Sequence, residues 1–284
     1  MNKKMVVAAT GLDGLVGSRV RELLEDKIQF IPLPKEIIDI TKKDSVKQAL
    51  QSIDFDIFLH LAAYTNVDLA EKEKSLAWSV NVAGTKNVFE VVSSREKKMI
   101  YISTDFVFDG ENAPFTEDSP PRPISHYGMT KYEGEKIVKD HAMIVRFSYP
   151  YRAYYEPKKD IVRSILAALK DKKHIQGVVD QIITFTFIDD IAHALHYLFL
   201  NYAPEIYHVV GKDSLSAYDA IMTIAKVFEL DTSLVSKTTY DEFYKGKAKR
   251  PKKGIVKSKK NVFYPMKSLK EGLMEIKKQN CLLK

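Results

Sequence analysis

Cysteine is almost missing from this chain. The single one among 284 residues, Cys281, excludes an internal disulfide and a cysteine-built metal cluster. Long apolar runs are missing as well: none approaches the roughly 18 residues that a membrane-spanning helix needs. The run Met5-Val6-Val7-Ala8-Ala9 follows two lysines and imitates a short signal peptide, but it stops at once in Thr10-Gly11, as a first strand would. A cytoplasmic location is the expectation, with no membrane partner. There is no internal repeat and no low-complexity linker, which suits one large domain or two that pack closely. Acid is missing from one stretch. Residues 245–260 carry nine Lys or Arg and no Asp or Glu, so that of a formal charge of +7 the remainder holds only −2. A protein that binds nucleic acid more often spreads its basic groups over one face, so none is expected as a partner. Two readings of the stretch stay open: a solvated, partly mobile loop, or an anion site, for example for a substrate diphosphate.

What is present has the balance of a soluble globular protein, 45% hydrophobic and 29% charged. Apolar runs at 5–9, 28–33, 55–63, 99–103 and 143–147 alternate with helical spacing at 15–24, 45–53, 77–92 and 132–139. Buried strands alternating with amphipathic helices predict an α/β fold with a doubly wound parallel sheet. After Pro150 the pattern loosens, and Tyr149 to Tyr155 holds four tyrosines with no clear period. Helices are expected at 161–169, from Asp189-Asp190 as a cap to about Leu200, at 218–229 and at 268–278; strands are expected at 182–188 and 206–210. The expected division is a dinucleotide-binding domain of residues 1–150 plus 188–211, and a smaller substrate-binding region of 151–187 plus 212–284.

Gly11-Leu12-Asp13-Gly14-Leu15-Val16-Gly17 lies between the first strand and the first helix. Glycines there permit a tight turn and close approach of a diphosphate, and the helix N-terminus offers free N–H groups. The acid that usually closes the second strand and binds the adenosine ribose is absent; Pro34-Lys35 stands there instead. A cation in that place leans towards NADPH, with NADH as the alternative.

Tyr127 and Lys131 are four residues apart and would share one helix face. A neighbouring ammonium lowers a phenol's pKa towards working pH, where it becomes an efficient proton donor. Thr104 and Asp105 have plain turn-forming roles open to them, as Asn81 has a plain helix-to-loop hydrogen bond. His193 and His196 suggest a metal pair, but no third ligand is placed, and packing is the preferred reading; no metal is expected.

Taken in order, these segments resemble the extended short-chain dehydrogenase/reductases, and among them the dTDP-4-dehydrorhamnose reductases. The resemblance is carried by Gly11 to Gly17, Asp39-Ile40-Thr41, Leu61-Ala62-Ala63-Tyr64-Thr65-Asn66-Val67-Asp68 and Val80-Asn81. It continues in Ser103-Thr104-Asp105-Phe106-Val107-Phe108-Asp109-Gly110, Tyr127 to Lys131, Asp180-Gln181 and Arg250-Pro251. It implies a Rossmann sheet with a smaller C-terminal region, and NAD(P)H-dependent reduction of a nucleotide-linked 4-keto sugar in dTDP-L-rhamnose synthesis. It implies that Tyr127 donates the proton, that Lys131 holds the nicotinamide ribose and lowers the tyrosine's pKa, and that Thr104 binds the substrate carbonyl. Cofactor contacts are implied for the glycine turn, Asp39, Ile40, Leu61, Ala62, Ala63, Tyr64, Asn81, Ser103, Tyr127 and Lys131. Substrate contacts are implied for Val67, Thr104, Asp105, Phe106, Tyr149 and Arg250. A homodimer is compatible with the resemblance.

The chain departs from that family on the substrate side. Tyr149 stands where the family has Trp after Ser, Tyr151-Arg152 stands for Tyr-Gly, and Asp160-Ile161 for Asn-Phe. After Asp180-Gln181 the family's glycine and Pro-Thr are replaced by Ile182 to Phe185 and then Thr186. This drift motivates two alternatives: a non-catalytic dinucleotide-binding subunit, like the regulatory subunit of methionine adenosyltransferase, and a sugar-nucleotide epimerase or dehydratase. Dehydratases of the superfamily have Asp-Glu next to the catalytic Thr, whereas Asp105 is followed by Phe106.

Overall fold

The computed structural model describes residues 4–282; Met1 to Lys3, Leu283, Lys284 and the side chains of Asn280, Cys281 and Leu282 lie outside the described part. The first half runs β1 (Met5–Thr10), α1 (Leu15–Leu24), β2 (Ile28–Leu33), α2 (Lys43–Leu50), β3 (Ile57–His60), α3 (Val67–Lys72) and α4 (Lys74–Trp78). A π-helical stretch, Ser79–Gly84, joins α4 to α5 (Thr85–Ser94), and β4 (Lys98–Thr104), α6 (His126–Val138) and β5 (Met143–Phe147) follow. The second half runs β6 (Pro150–Tyr151), α7 (Ile161–Lys170), β7 (Ile175–Val178), β8 (Ile182–Thr184), β9 (Thr186–Phe187), α8 (Ile188–Leu200) and β10 (Ile206–His208). It ends with β11 (Ser214–Ser216), α9 (Ala217–Val227), β12 (Val235–Thr238), α10 (Tyr240–Phe243), β13 (Lys253–Gly254) and α11 (Leu269–Leu282).

Six strands form one sheet in the order β10-β5-β4-β3-β1-β2, every pair parallel. Side chains alternate between its two faces. Val7, Ala9, Ile57 and Leu59 pack towards α1 and α8, while Ala8 and Phe58 pack towards α2 and α5. Both faces are covered, which is why the strands are apolar without alternation. The order reverses beside β1: β2 lies on one side and β3 on the other. In open α/β sheets that reversal leaves a crevice at the carboxyl ends of the strands. A separate core of Tyr151, Leu166, Ile183, Phe187, Ile224 and Leu273 joins α7, α9 and α11 beside the sheet.

Three local expectations change. The strand foreseen at 182–188 is broken into β8 and β9, and Ile188 already begins α8. Asp189 and Asp190 do not cap that helix: its N-cap is Phe187, and no side chain caps it. They stand in the first turn and take cations instead. Asp189 accepts two hydrogen bonds of 2.7 Å from Arg19 on α1, and Asp190 accepts from Lys267 at 2.7 Å. Of the two readings left open for the stretch 245–260, the loose loop gives way to an ordered segment. Arg250, Lys252, Lys259 and Lys260 pair with Asp68, Asp180, Asp118 and Glu205 at 2.7–2.8 Å. Its backbone pairs with β8 through β13, and Phe115 and Ile255 are joined main chain to main chain. No helix among the described residues is long and apolar enough to cross a membrane.

One ionic group lies inside the fold. Arg146 on β5, 1% exposed, is held by Glu135 of α6 through bonds of 2.8 and 2.6 Å, and its other amine donates to His208 Nε2 at 3.3 Å. A guanidinium cannot accept, so His208 carries its proton on Nδ1 and donates it to the Lys257 carbonyl at 2.8 Å. Burial and the neighbouring Arg146 push the His208 imidazole down to about 4, so it is neutral at physiological pH. Replacing one partner of such a pair strands the other charge. Glu135→Gln is expected to cost about 3–5 kcal/mol, measured as a lowered urea midpoint with an unchanged denaturant slope.

Candidate active site

A cleft of about 930 Å³ opens at the β1/β3 reversal. Its floor is the glycine turn. Gly11 has φ +67°, and a Cβ on it would lie 2.8 Å from the Ala62 nitrogen, so the turn and the end of β3 meet only through glycine. Gly14 precedes α1 without any side-chain cap, which leaves the helix's first N–H groups facing the cleft. Leu12 points the other way: it is 3% exposed and belongs to the core under α1, so of the turn's residues it does not line the cleft. Leu33, Lys35, Ile38, Asp39, Ile40 and Thr41 form one end wall. There the Asp39 carboxylate is already engaged by the Thr41 backbone and hydroxyl and by Lys42.

Leu61 to Thr65 forms the wall opposite the glycine turn. Asn81 holds it in place from behind and does not line the cleft itself. Its side chain, fully buried, accepts from the Tyr64 nitrogen at 2.7 Å, donates to the Tyr64 carbonyl at 3.1 Å, and reaches Thr130 on α6 at 2.9 Å. Asn81 lies in the π-helical stretch, whose wider turn sets it off from the regular helix face.

The far end of the cleft joins the end of β4 to α6. Ser125 caps α6, accepting from the Gly128 nitrogen at 3.2 Å, and Tyr127 and Lys131 follow on one face. Thr104 ends β4. It caps the short turn after it, as the plain reading held, accepting from the Phe106 nitrogen at 3.3 Å and donating to Asp105 at 3.1 Å. Asp105 also accepts from Ser148 at 2.9 Å, and burial pushes its carboxyl up to about 6 despite these donors. Phe106 packs between Tyr127 and Tyr149, at 5.6 and 5.9 Å between ring centres. Tyr149 has φ +38°, a left-handed backbone rare for a bulky residue. The Ser103 hydroxyl, buried in the cleft wall, has no hydrogen-bond partner.

Lys131 does not lower the Tyr127 phenol. Burial drives that phenol well above its ordinary value, against the Thr104 hydroxyl beside it, and the Asp105 carboxylate adds to the rise. The Lys131 ammonium donates to the Ile102 carbonyl at 2.8 Å and lies 4.1 Å from the centre of the Tyr101 ring. Its charge is directed at β4 rather than at the phenol. Burial also brings Lys131 down to about 7, with Glu135 opposing.

Of the expected substrate residues, Thr104, Asp105, Phe106 and Tyr149 line the cleft, and Val67 and Arg250 do not. Arg250 is drawn off by Asp68, at 2.8 and 3.1 Å, and lies over the Tyr244 ring. Sequence reasoning missed Tyr155, Lys158 and Lys159, which line the mouth. Their only signal was two adjacent lysines where the helical period breaks down. His193 and His196 fall on α8, where His193 stacks on Tyr264.

The model of the RmlD substrate binding domain matches residues 5–279. The chain belongs to this family. A dTDP-4-dehydrorhamnose reductase of Aggregatibacter actinomycetemcomitans is 32% identical over 262 residues, 85% of this chain and 87% of that one. The spore coat polysaccharide biosynthesis protein SpsK of Bacillus subtilis is 31% identical over 250 residues, 86% of each chain. Among solved structures of the RmlD type, a dTDP-4-dehydrorhamnose reductase from Bacillus anthracis in complex with NADP superposes with a TM-score of 0.91. It is 32% identical, over 98% of this chain and 100% of that one.

The buried lysine makes stability depend on pH. Folded Lys131 titrates at about 7, whereas in the unfolded chain a lysine keeps its proton to about pH 10.4. Between those values the unfolded state binds the extra proton, so this group makes stability rise with pH. Below about pH 7 both states are charged and its cost is fully present. The stability of Lys131→Met relative to the parent is expected to fall by on the order of a few kcal/mol as pH rises from 7 to 10. Urea unfolding at a series of pH values measures it.

Proposed function

We propose that this protein is an NAD(P)H-dependent oxidoreductase that reduces the keto group of a nucleotide-linked 4-keto sugar, with dTDP-4-dehydrorhamnose as the first substrate to test. The observation that carries the reading is the joining of Thr104, Tyr127 and Lys131 at one end of a cleft whose floor is an uncapped helix N-terminus. The cleft fits a dinucleotide. The free N–H groups of α1 suit a diphosphate, the close-packed Gly11 turn leaves the backbone bare, and the unpartnered Ser103 hydroxyl awaits a polar contact. Lys35, which follows β2 and lines the cleft, is a cation that favours NADPH, and NADH remains the alternative.

A nicotinamide dinucleotide, when bound, supplies the hydride that no side chain can supply. Within this reading Tyr127 delivers a proton to the carbonyl oxygen, leaving a phenolate that takes its proton back from solvent. The raised value of the buried phenol keeps it protonated throughout the neutral range, the form a donor needs. Thr104 orients the carbonyl, turning its hydroxyl from Asp105 to the substrate. Lys131 holds a ribose, and Asn81 keeps the Tyr64 wall in register. Outside the cleft wall, Val67 would act through the cluster of Tyr64, Phe106 and Tyr127 that it packs against, and Arg250 through Asp68 and the Tyr244 ring. We assign the dinucleotide to residues 1–150 with 188–211, and the sugar end to 151–187 with 212–284. A cytoplasmic location and a homodimer complete the proposal.

The binding-only and epimerase alternatives are weaker. Tyr127, Lys131 and Thr104 all line the cleft, and Phe106 follows Asp105 where dehydratases have Glu. Mixed with NADPH and dTDP-4-dehydrorhamnose, the protein is expected to consume NADPH absorbance in proportion to sugar. Tyr127→Phe should lower that turnover about 10²- to 10⁴-fold while still binding NADPH. No turnover by the parent on any nucleotide-linked keto sugar would remove the enzyme reading.

A further inference from the structure

We propose that the segment from Tyr154 to Lys159 is a strap that holds a dinucleotide's diphosphate against the glycine turn, with the ammonium groups of Lys158 and Lys159 as its countercharges. The inference rests on the cleft being a dinucleotide site. It concerns residues that belong to none of the motifs carrying the family resemblance.

The segment leaves β6, crosses the mouth of the cleft and enters α7. It is fastened to both walls. The Tyr155 hydroxyl donates to the Asp13 carbonyl in the glycine turn, and Lys158 donates to the Thr65 hydroxyl beyond β3 at 3.2 Å. A diphosphate at the N-terminus of α1 would lie between these two attachments, beneath the strap.

The roots of the strap are rigid. The Arg152 guanidinium binds Ser18 and Glu22 on α1, at 2.7–2.9 Å. Asp160 accepts from the Arg152 backbone and from the Arg163 nitrogen and guanidinium, while Arg163 also donates to the carbonyls of Tyr155 and Lys158. Between the roots, the Tyr155 and Lys158 side chains reach the cleft walls, while Arg163 and the Arg152 guanidinium, 5.5 Å from the centre of the Tyr155 ring, steady the span from its ends.

Charge identifies the ligand. Lys158 and Lys159 are exposed, and neither pairs with a carboxylate among the described residues. By contrast Arg250, Lys252, Lys259 and Lys260 each meet a carboxylate. Two adjacent unpaired ammonium groups above a set of free amide donors form an electropositive slot with two faces, which suits a dianion such as a diphosphate. The attachments span the glycine turn and not the Tyr149 end of the cleft. That favours the dinucleotide's diphosphate over the one on a sugar nucleotide.

Calorimetric titration of the ligand-free protein tests this without turnover. The ligands are NADPH, 2′-phospho-ADP-ribose, which keeps the diphosphate, 2′-AMP, which lacks it, and dTDP for the substrate side. Lys158→Ala/Lys159→Ala is expected to weaken NADPH and 2′-phospho-ADP-ribose at least about tenfold and to leave 2′-AMP and dTDP within about twofold. Lys158→Arg/Lys159→Arg should restore the binding. Unchanged NADPH affinity overturns the strap, and so does an equal loss for 2′-AMP. A loss confined to dTDP transfers the cations to the substrate and overturns it as well. A parent protein that binds neither NADPH nor NADH removes the dinucleotide reading itself, an outcome distinct from the other three.

Discussion

The closeness of α6 to β4 governs everything at the cleft. A Cβ at Gly134 would lie 2.3 Å from the Tyr101 hydroxyl, so the helix comes to rest on the strand only because that position has no side chain. Tyr101 then donates to the Lys131 carbonyl at 3.2 Å, and the Arg146–Glu135 pair holds the other end of the helix against β5. With α6 fixed in this way, Tyr127 and Lys131 have one available position, beside Thr104 at the end of β4. Packing at this depth removes water from the ionisable groups. Loss of hydration, more than any single neighbour, sets the direction in which Tyr127, Lys131 and Asp105 shift.

The sheet and the cleft floor were legible because both depend on local pattern. The apolar strands have period and length, and the glycine turn has its place between a strand and a helix. The pairing of Tyr127 with Lys131 on one face followed from spacing, whereas Thr104 stood out only through the family resemblance. The effect of the lysine on the phenol did not follow from spacing. Helical spacing brings two side chains to one face but says nothing about where the longer one ends, and Lys131 ends at Ile102. Asp189 and Asp190 resemble a helix cap in sequence, yet long-range partners on α1 and before α11 claim them.

The substrate side was the least legible. The stretch 151–160 has no period because its form is set by Arg152 and Arg163, whose partners lie on α1 or on neighbouring carbonyls. The basic stretch 245–260 left two readings open for a similar reason. Its composition describes the charges it carries, whereas its order depends on acids spread from Asp68 to Glu205. Arg250 is the clearest case, a cation whose place outside the cleft wall follows from a carboxylate 182 residues away.

That stretch also fixes an order of assembly. Asp68, Asp118, Asp180 and Glu205 all precede it in the chain, as does β8, the strand its backbone joins. On a growing chain the parallel sheet has all six of its strands before residue 245 is made. A segment with nine cations thus arrives at a body in which acids outnumber bases, its parallel sheet already complete, and fastens the two halves before α11 closes the second core.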